Sequence, residues 1–185
     1  MRFLVFLRPA LAGLALAALA CAAQAQENLC VTPATGAALA SQMNQLNWPE
    51  TEYVALHEPG MKKIYDKIPP NYMEQLKANP HILPWGQFAQ NRNPETLDRV
   101  GGLIRDARAQ RVAQALAASS WAQAQQALEQ DSELHAAAQK PRGTVLEGAR
   151  RDTKNFDWPG LLAKRDFCQL SSMLHVLQPG SAAAK

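Results

Sequence analysis

Beyond residue 25, apolar residues recur three and four positions apart along most of the chain, and proline or glycine interrupts most of these runs. This spacing places apolar side chains on one face of an α-helix. Valine and isoleucine are scarce in the same region, whereas alanine, leucine and glutamine are abundant, a composition that favours helix over strand. The sequence therefore predicts an all-α fold, a single-domain helical bundle over residues 26–180 with an irregular, proline-rich N-terminal half.

Prolines divide the N-terminal half into short segments. The first helix is expected to begin after Thr35, a residue type suited to an N-cap, and to end before Pro49. Two more short helices are expected between residues 61 and 76, each stopped by proline. We expect residues 48–59 to form a loop and residues 79–93 to form an irregular connection.

The C-terminal half begins with clearer helix signals. Asn93 suits an N-cap and the proline after it suits the first turn of a long helix that continues towards Ser119. Ser120 and Gln123 form a capping-box pattern that opens a second helix extending to Leu134. We expect these two helices to form an antiparallel hairpin with a very short connection.

Two further helices are expected near the C-terminus. A short one should occupy residues 145–151, after a break at residues 140–143. A longer final helix should run over residues 159–177. The tail over residues 181–185 is predicted to be disordered.

Residues 1–25 have the pattern of a secretory signal peptide. Arg2 and Arg8 precede an apolar run, and Ala-Gln-Ala at residues 23–25 matches the small-residue pattern before a cleavage site, so we expect cleavage before Gln26. The apolar run is too short for a membrane span. Its alanine-rich style resembles the export signals of Gram-negative bacteria, so the expected location is the periplasm.

The charge of the mature chain excludes one class of partner. The chain carries 19 basic and 16 acidic residues, and two of the basic residues lie in the predicted signal peptide. The mature chain is therefore almost neutral, without the concentrated positive charge that nucleic-acid-binding proteins use. We expect no nucleic-acid partner.

The three cysteines are Cys21, Cys30 and Cys168. A lipoprotein signal places leucine three residues before the cysteine, but Ala18 stands there, so we do not expect a lipid anchor at Cys21. The other two lie near the two ends of the mature chain, in an oxidising compartment. We predict a Cys30–Cys168 disulfide; the alternatives are a free buried thiol or a bond to another chain.

Most catalytic signatures are missing from the sequence. It contains no Cys-x-x-Cys, no His-Glu-x-x-His, no Gly-x-Ser-x-Gly and no phosphate-binding glycine loop. The four histidines are isolated from one another, so no metal site and no cofactor is expected. His57 and Glu58 are adjacent and could transfer protons in a cleft, but Pro59 and Gly60 suggest a turn, so we favour a solvated turn pair.

Three of the four tryptophans adjoin prolines. Trp48 and Trp158 each precede a proline, and Trp85 follows one. Aromatic rings held by stiff backbone can stack on sugars, peptides or the side chains of a partner. We therefore take the three indoles as candidate binding residues, with core packing as the alternative.

Arginines along the long predicted helix form a second candidate site. Arg105 and Arg108 lie between Arg99 and Arg111, and guanidinium groups suit carboxylate or phosphate. Residues three positions apart drift around a helix, however, and Asp106 interrupts the positive charge. A solvated helix face is therefore the favoured interpretation of these arginines.

Two classes of function follow from these observations. The first is an exported, non-enzymatic binding or accessory protein, serving an envelope or secretion assembly, whose partner is a protein or a cell-wall component. An immunity protein against a periplasmic toxin would belong to the same class. The second is a peptidoglycan hydrolase with one glutamate as general acid, for which Glu50, Glu52 and Glu58 are the candidates. The Glu-Ser pair typical of lytic transglycosylases is missing, so we favour the first class.

Overall fold

The structure is a computed structural model that describes residues 30, 33, 35–90, 92–140 and 142–178. The predicted signal peptide, Cys21 and the C-terminal tail lie outside the described residues. Within them the chain forms eleven α-helices, one 3-10 turn and no strand, so the predicted all-α fold is confirmed. None of these helices is both long and apolar enough to cross a membrane.

The helices follow one another with short connections. In chain order they are α1 Gly36–Met43, α2 Trp48–His57, α3 Pro59–Tyr65, α4 Pro70–Ala78, α5 Trp85–Ala89, α6 Pro94–Ala118, α7 Trp121–Leu128, α8 Ser132–Gln139, α9 Glu147–Arg151, α10 Trp158–Leu162 and α11 Phe167–Leu177. The 3-10 turn, Pro80–Ile82, joins α4 to α5, so the connection predicted to be irregular contains two short helical segments.

Helix α2 corrects the loop predicted for residues 48–59. Pro49 lies in the first turn of this helix, where its missing N–H has no intrahelical partner to lose. The Asn47 side chain accepts from the Glu50 N–H, and Glu50 Oε2 accepts from the Asn47 N–H over 2.9 Å. This reciprocal capping box starts a helix at a proline that sequence reasoning took as a stop signal.

Helix α6 has the boundaries that its sequence predicts. Asn93 Oδ1 accepts from the Thr96 N–H over 2.8 Å, Pro94 is the first helical residue, and Ser119 is the C-cap. The helix contains 25 residues and contacts α1, α2, α10 and α11. It is therefore the element against which both halves of the chain pack.

Two hydrophobic clusters lie along α6. Its N-terminal half supplies Leu97, Val100 and Ile104 to a cluster with residues of α1, α2 and α5. Its C-terminal half supplies Val112 and Leu116 to a second cluster with residues of α7, α8, α10 and α11. Burial of these side chains is the main contribution to folding stability.

Two of the predicted long helices are each divided by a buried or half-buried aspartate. Asp131 ends the segment after α7 and caps α8, and Asp166 forms a capping box with Gln169 at the start of α11.

The predicted antiparallel hairpin of α6 and α7 is wrong, because α7 packs mainly against α11 and α8. Local spacing indicated the helices but not their partners.

The predicted disulfide is confirmed. Cys30 and Cys168 are bonded, with their Cα atoms 4.7 Å apart, across a sequence separation of 138. Cys168 lies in the first turn of α11. The bond therefore ties the segment before α1 to the last helix.

Candidate binding cleft

Two of the three proline-adjacent indoles lie at the same cleft. Trp48 of α2 and Trp85 of α5 both line a cavity of about 320 Å³, bounded also by α3 and by the segment between α4 and α5. Most of its lining side chains are apolar or aromatic. This volume falls at the lower end of the range for small-molecule sites.

One wall of the cleft is a pair of stacked rings. Trp48 and Tyr65 have their ring centroids 6.4 Å apart and their planes 20° from parallel. The Tyr65 hydroxyl donates to Glu52 Oε1 over 2.5 Å, and this hydrogen bond raises the pKa of Tyr65 to about 12. The phenol therefore stays protonated at neutral pH and holds its ring in place.

The opposite wall is built on α5. Trp85 and Phe88 meet edge to face, with centroids 6.3 Å apart. Trp85 is only 6 % exposed, yet its Nε1–H has no hydrogen-bond partner among the described residues. A buried donor without a partner costs free energy. Because solvent does not reach this atom, the surface that Trp85 presents to the cleft is apolar.

Thr51 repeats this feature elsewhere in the lining of the cleft. Its side chain is fully buried in α2, and its Oγ1 has no partner among the described residues. The residues around the cleft thus include two buried polar atoms that the described protein does not satisfy. Solvent reaches neither atom, so both lie behind the apolar surface of the cleft rather than facing into it.

Arg92 lies at the rim of the cleft. Its guanidinium stacks on the Phe88 ring, 4.5 Å from the centroid, and its Nε donates to the Phe88 carbonyl over 2.8 Å. No acidic side chain pairs with it among the described residues. Arg92 is thus a positioned cation with its terminal nitrogens available.

Trp158 lies away from the cleft and requires a correction to its proposed binding role. It is 1 % exposed in the C-terminal cluster, where its Nε1 donates to the Thr153 carbonyl over 2.7 Å. Its ring also meets Phe156 edge to face. Because the ring is buried and its polar atom is satisfied, Trp158 is a core residue and cannot reach a partner.

The arginines of α6 are not a uniform solvated face. Arg108 is 5 % exposed, contacts Glu50 Oε1 through Nε at 2.7 Å and donates to the Gln45 carbonyl over 2.7 Å. Burial lowers its pKa, and the neighbouring Glu50 carboxylate opposes that shift. Arg108 therefore has a buried structural role, which corrects its proposed binding role.

Arg105 remains exposed, in contact with Asp106 at 3.3 Å. It lines a second cavity of about 270 Å³ beside Cys30, together with Lys164 and Arg165. Arg165 forms ion pairs with Asp131 and Glu133. Arg105 and Arg108 thus lie in different environments and do not form one anion site.

The candidate acids for catalysis are all engaged in structural contacts. Glu50 is buried and bound by Arg108 and Arg111, Glu52 accepts from Tyr65, and Glu58 is buried. Glu58 caps α3 through the Met61 N–H at 2.6 Å and pairs with Arg99 at 3.1 Å. The solvated turn favoured for the pair is therefore wrong for Glu58.

His57 is separated from Glu58 by its own contacts. Its Nδ1 lies 2.7 Å from the Tyr53 carbonyl, and its ring stacks on Tyr53 at 4.1 Å. The two side chains therefore do not form a hydrogen-bonded acid–base pair. In the described part of the chain, no group of three or more His, Cys, Asp or Glu side chains is arranged to hold a metal ion.

Sequence reasoning missed several residues of the cleft, namely Ile64, Tyr65, Phe88 and the position of Arg92. A signal for part of the set was present, because Trp85, Phe88 and Arg92 are spaced by three and then four positions, as on one helix face. Comparisons with protein-family models, curated proteins and solved structures find no match to this chain.

Proposed function

We propose that this protein is an exported, non-enzymatic binding protein of the bacterial periplasm that takes up the apolar part of a ligand in the cleft between Trp48 and Trp85. The observation that carries the proposal is the cleft itself, with its apolar lining and its two aromatic walls. Walls already fixed by stacking lose little conformational entropy on binding.

The rim of the cleft supports the same proposal. Ile64 is 58 % exposed and lines the cavity, so an apolar side chain faces solvent beside an apolar interior. Covering Ile64 and the two walls with an apolar group would remove this surface from water. A binding event at the cleft therefore has a clear driving force.

Export is supported by two independent features. The first 25 residues carry the signal-peptide pattern, and the disulfide suits an oxidising compartment such as the periplasm. A periplasmic location would bring the cleft into contact with envelope components and with molecules that enter the cell.

The hydrolase alternative has less support. A general acid must reach the bond that is cleaved and must have a proton to give. Glu50, Glu52 and Glu58 are each occupied by arginine, tyrosine or backbone donors, and none of them lines the cleft. We therefore place binding, rather than peptidoglycan cleavage, first.

A neutral apolar dye tests the cleft without assuming a ligand charge. We expect Nile red to bind the purified, disulfide-bonded protein, and Ile64→Ser and Trp48→Ala to weaken that binding by about tenfold or more, because each removes apolar contact area. The readout is dye fluorescence during titration with protein.

Matched variants away from the cleft serve as controls. Val145 is 62 % exposed and Trp121 is half-buried, and neither lines the cavity. Val145→Ser and Trp121→Ala should leave dye binding unchanged. If the cleft variants and the control variants weaken binding equally, or if purified protein degrades peptidoglycan and Glu58→Gln abolishes that activity, the proposed function is wrong.

A further inference from the structure

We propose that the ligand of this cleft is an aliphatic carboxylate, with its alkyl chain between the aromatic walls and its carboxylate bound by Arg92. This inference rests on the binding function proposed above and adds the chemical class of the ligand. The charge at the rim, the polarity of the lining and the size of the cavity support it.

Arg92 is placed to bind an anion next to the cavity. The Phe88 carbonyl holds its Nε, and the Phe88 ring supports its planar face. Its terminal nitrogens can therefore donate to a ligand. A guanidinium presents two parallel N–H groups to a carboxylate. Because the side chain is already positioned, little rotamer entropy remains to be lost when the anion binds.

The charge of the cleft favours an anion over a cation. Arg92 is the one charged side chain that lines the cavity within the described residues, and no acidic side chain lines it. Glu52, which adjoins the wall, is already the acceptor for Tyr65. A carboxylate at the rim would therefore meet a positive charge without a competing negative one.

The lining favours an alkyl chain over a peptide. A peptide would bring N–H and C=O groups into the cleft, and each needs a partner when it leaves water. Few polar groups line the cavity; they include Thr51, Gln87 and the Trp85 indole. The side chains of Thr51 and Trp85 have only one polar atom each. An alkyl chain makes no such demand, and it can fill a cavity of about 320 Å³ with apolar contacts alone.

Calorimetric titrations with decanoate and with decanol distinguish the contribution of the ligand's carboxylate from that of its alkyl chain. The purified exported protein is used with its disulfide intact and after removal of bound lipid. We expect decanoate to bind about tenfold or more tightly than decanol at neutral pH, since hydrogen bonds to charged groups contribute that much. Arg92→Gln should abolish this difference by weakening decanoate binding and leaving decanol binding unchanged.

Arg151→Gln is the matched control. Arg151 is exposed on α9, pairs with Glu147 and does not line the cleft, so its loss should not change either affinity. A third probe, an acetylated tripeptide ending in a phenylalanine carboxylate, tests the other source of an apolar carboxylate. We expect it to bind more weakly than decanoate.

The outcomes that would overturn this inference differ from those that would overturn the binding function. Equal affinities for decanoate and decanol, both reduced by Ile64→Ser, would show a neutral binding cleft and refute the role of Arg92. Tighter binding of the peptide than of decanoate would refute the aliphatic ligand. If decanoate, decanol, the peptide and Nile red all fail to bind, both the inference and the proposed function are wrong.

Discussion

At the scale of single residues, Tyr65 shows how one hydrogen bond fixes a wall of the cleft. Its hydroxyl donates to Glu52 and its ring stacks on Trp48. Deprotonation would lose the hydrogen bond to Glu52 and place a phenolate beside a carboxylate, and the pKa of Tyr65 is therefore raised to about 12. The aromatic wall is therefore insensitive to pH over the physiological range.

A spectroscopic titration tests this contact. The difference in tyrosinate absorbance between the wild-type protein and Tyr65→Phe should show one transition with a midpoint near pH 12. Glu52→Gln should lower that midpoint towards the ordinary value of 10.0, because the hydrogen bond to Glu52 is the largest cause of the shift. Circular dichroism at each pH verifies that the protein stays folded.

The same shift predicts a direction for stability. Since the pKa is higher in the folded protein than in the unfolded chain, the stabilisation by this bond is complete below pH 10 and declines as the pH rises towards 12. A midpoint that Glu52→Gln leaves unchanged would contradict the assigned contact.

Local sequence predicted some residue roles and not others. The number of cysteines outside the predicted signal peptide, together with the predicted export, is enough to predict the observed Cys30–Cys168 bond. Trp48, Trp85 and Trp158 share the same local pattern of an indole beside proline, yet the first two line the cleft and Trp158 is buried in the core. A rigid backbone does not determine which way a ring faces, because that depends on the elements packed around it.

At the scale of elements, α2 is attached to α6 by charges as well as by apolar packing. Glu50 of α2 binds Arg108 and Arg111 of α6, and Glu58, at the end of α2, binds Arg99. Glu50 and Arg111 are 61 positions apart in the sequence. Because these partners are so distant in the sequence, the local pattern of α6 predicts a solvated arginine face and does not indicate the buried pairs.

Neutralising Glu50 tests this attachment. Glu50→Gln leaves the buried Arg108 without its counter-charge, and breaking such a pair commonly costs about 3–5 kcal/mol. We expect the free energy of unfolding in urea to fall by an amount of this order.

Lys62→Gln is the matched control for Glu50→Gln. Lys62 pairs with Asp66 at 2.7 Å, but both side chains are about half exposed, so its loss should cost about 1 kcal/mol or less. Equal losses in the two variants would mean that the buried pair adds nothing beyond an exposed one.

Helix starts were more predictable than helix partners. The caps at Thr35, Asn93 and Ser120 were all placed correctly, because capping depends on residues within one turn. The sequence pattern predicts that Pro49 ends a helix, but it lies in the first turn of α2. Proline is compatible with both roles, and only the capping box of Asn47 with Glu50 distinguishes them.

At the scale of the whole molecule, α11 joins the two hydrophobic clusters. Its first residue, Phe167, belongs to the N-terminal cluster and contacts the Arg108 guanidinium at 4.9 Å from the ring centroid. Leu170 and Met173, one to two turns later, belong to the C-terminal cluster. Cys168 lies between them, so the disulfide is attached at the boundary where the two halves meet.

The disulfide should therefore stabilise the whole molecule rather than one end. It spans a sequence separation of 138, and loss of a native disulfide typically costs about 2–5 kcal/mol. We expect the paired variant Cys30→Ser with Cys168→Ser to melt roughly 5–15 °C below the wild-type protein, with both clusters lost in one transition. Differential scanning calorimetry measures both the shift and the cooperativity.

Reduction separates the effect of the bond from the effect of the substitutions. A reductant should lower the melting temperature of the wild-type protein to that of the paired variant and should leave the variant unchanged. Two separate transitions after reduction would mean that α6 and α11 do not couple the clusters without the bond. If reduction leaves the melting temperature of the wild-type protein unchanged, the disulfide does not stabilise the fold. Packing against α6 would then be enough to hold α11 in place.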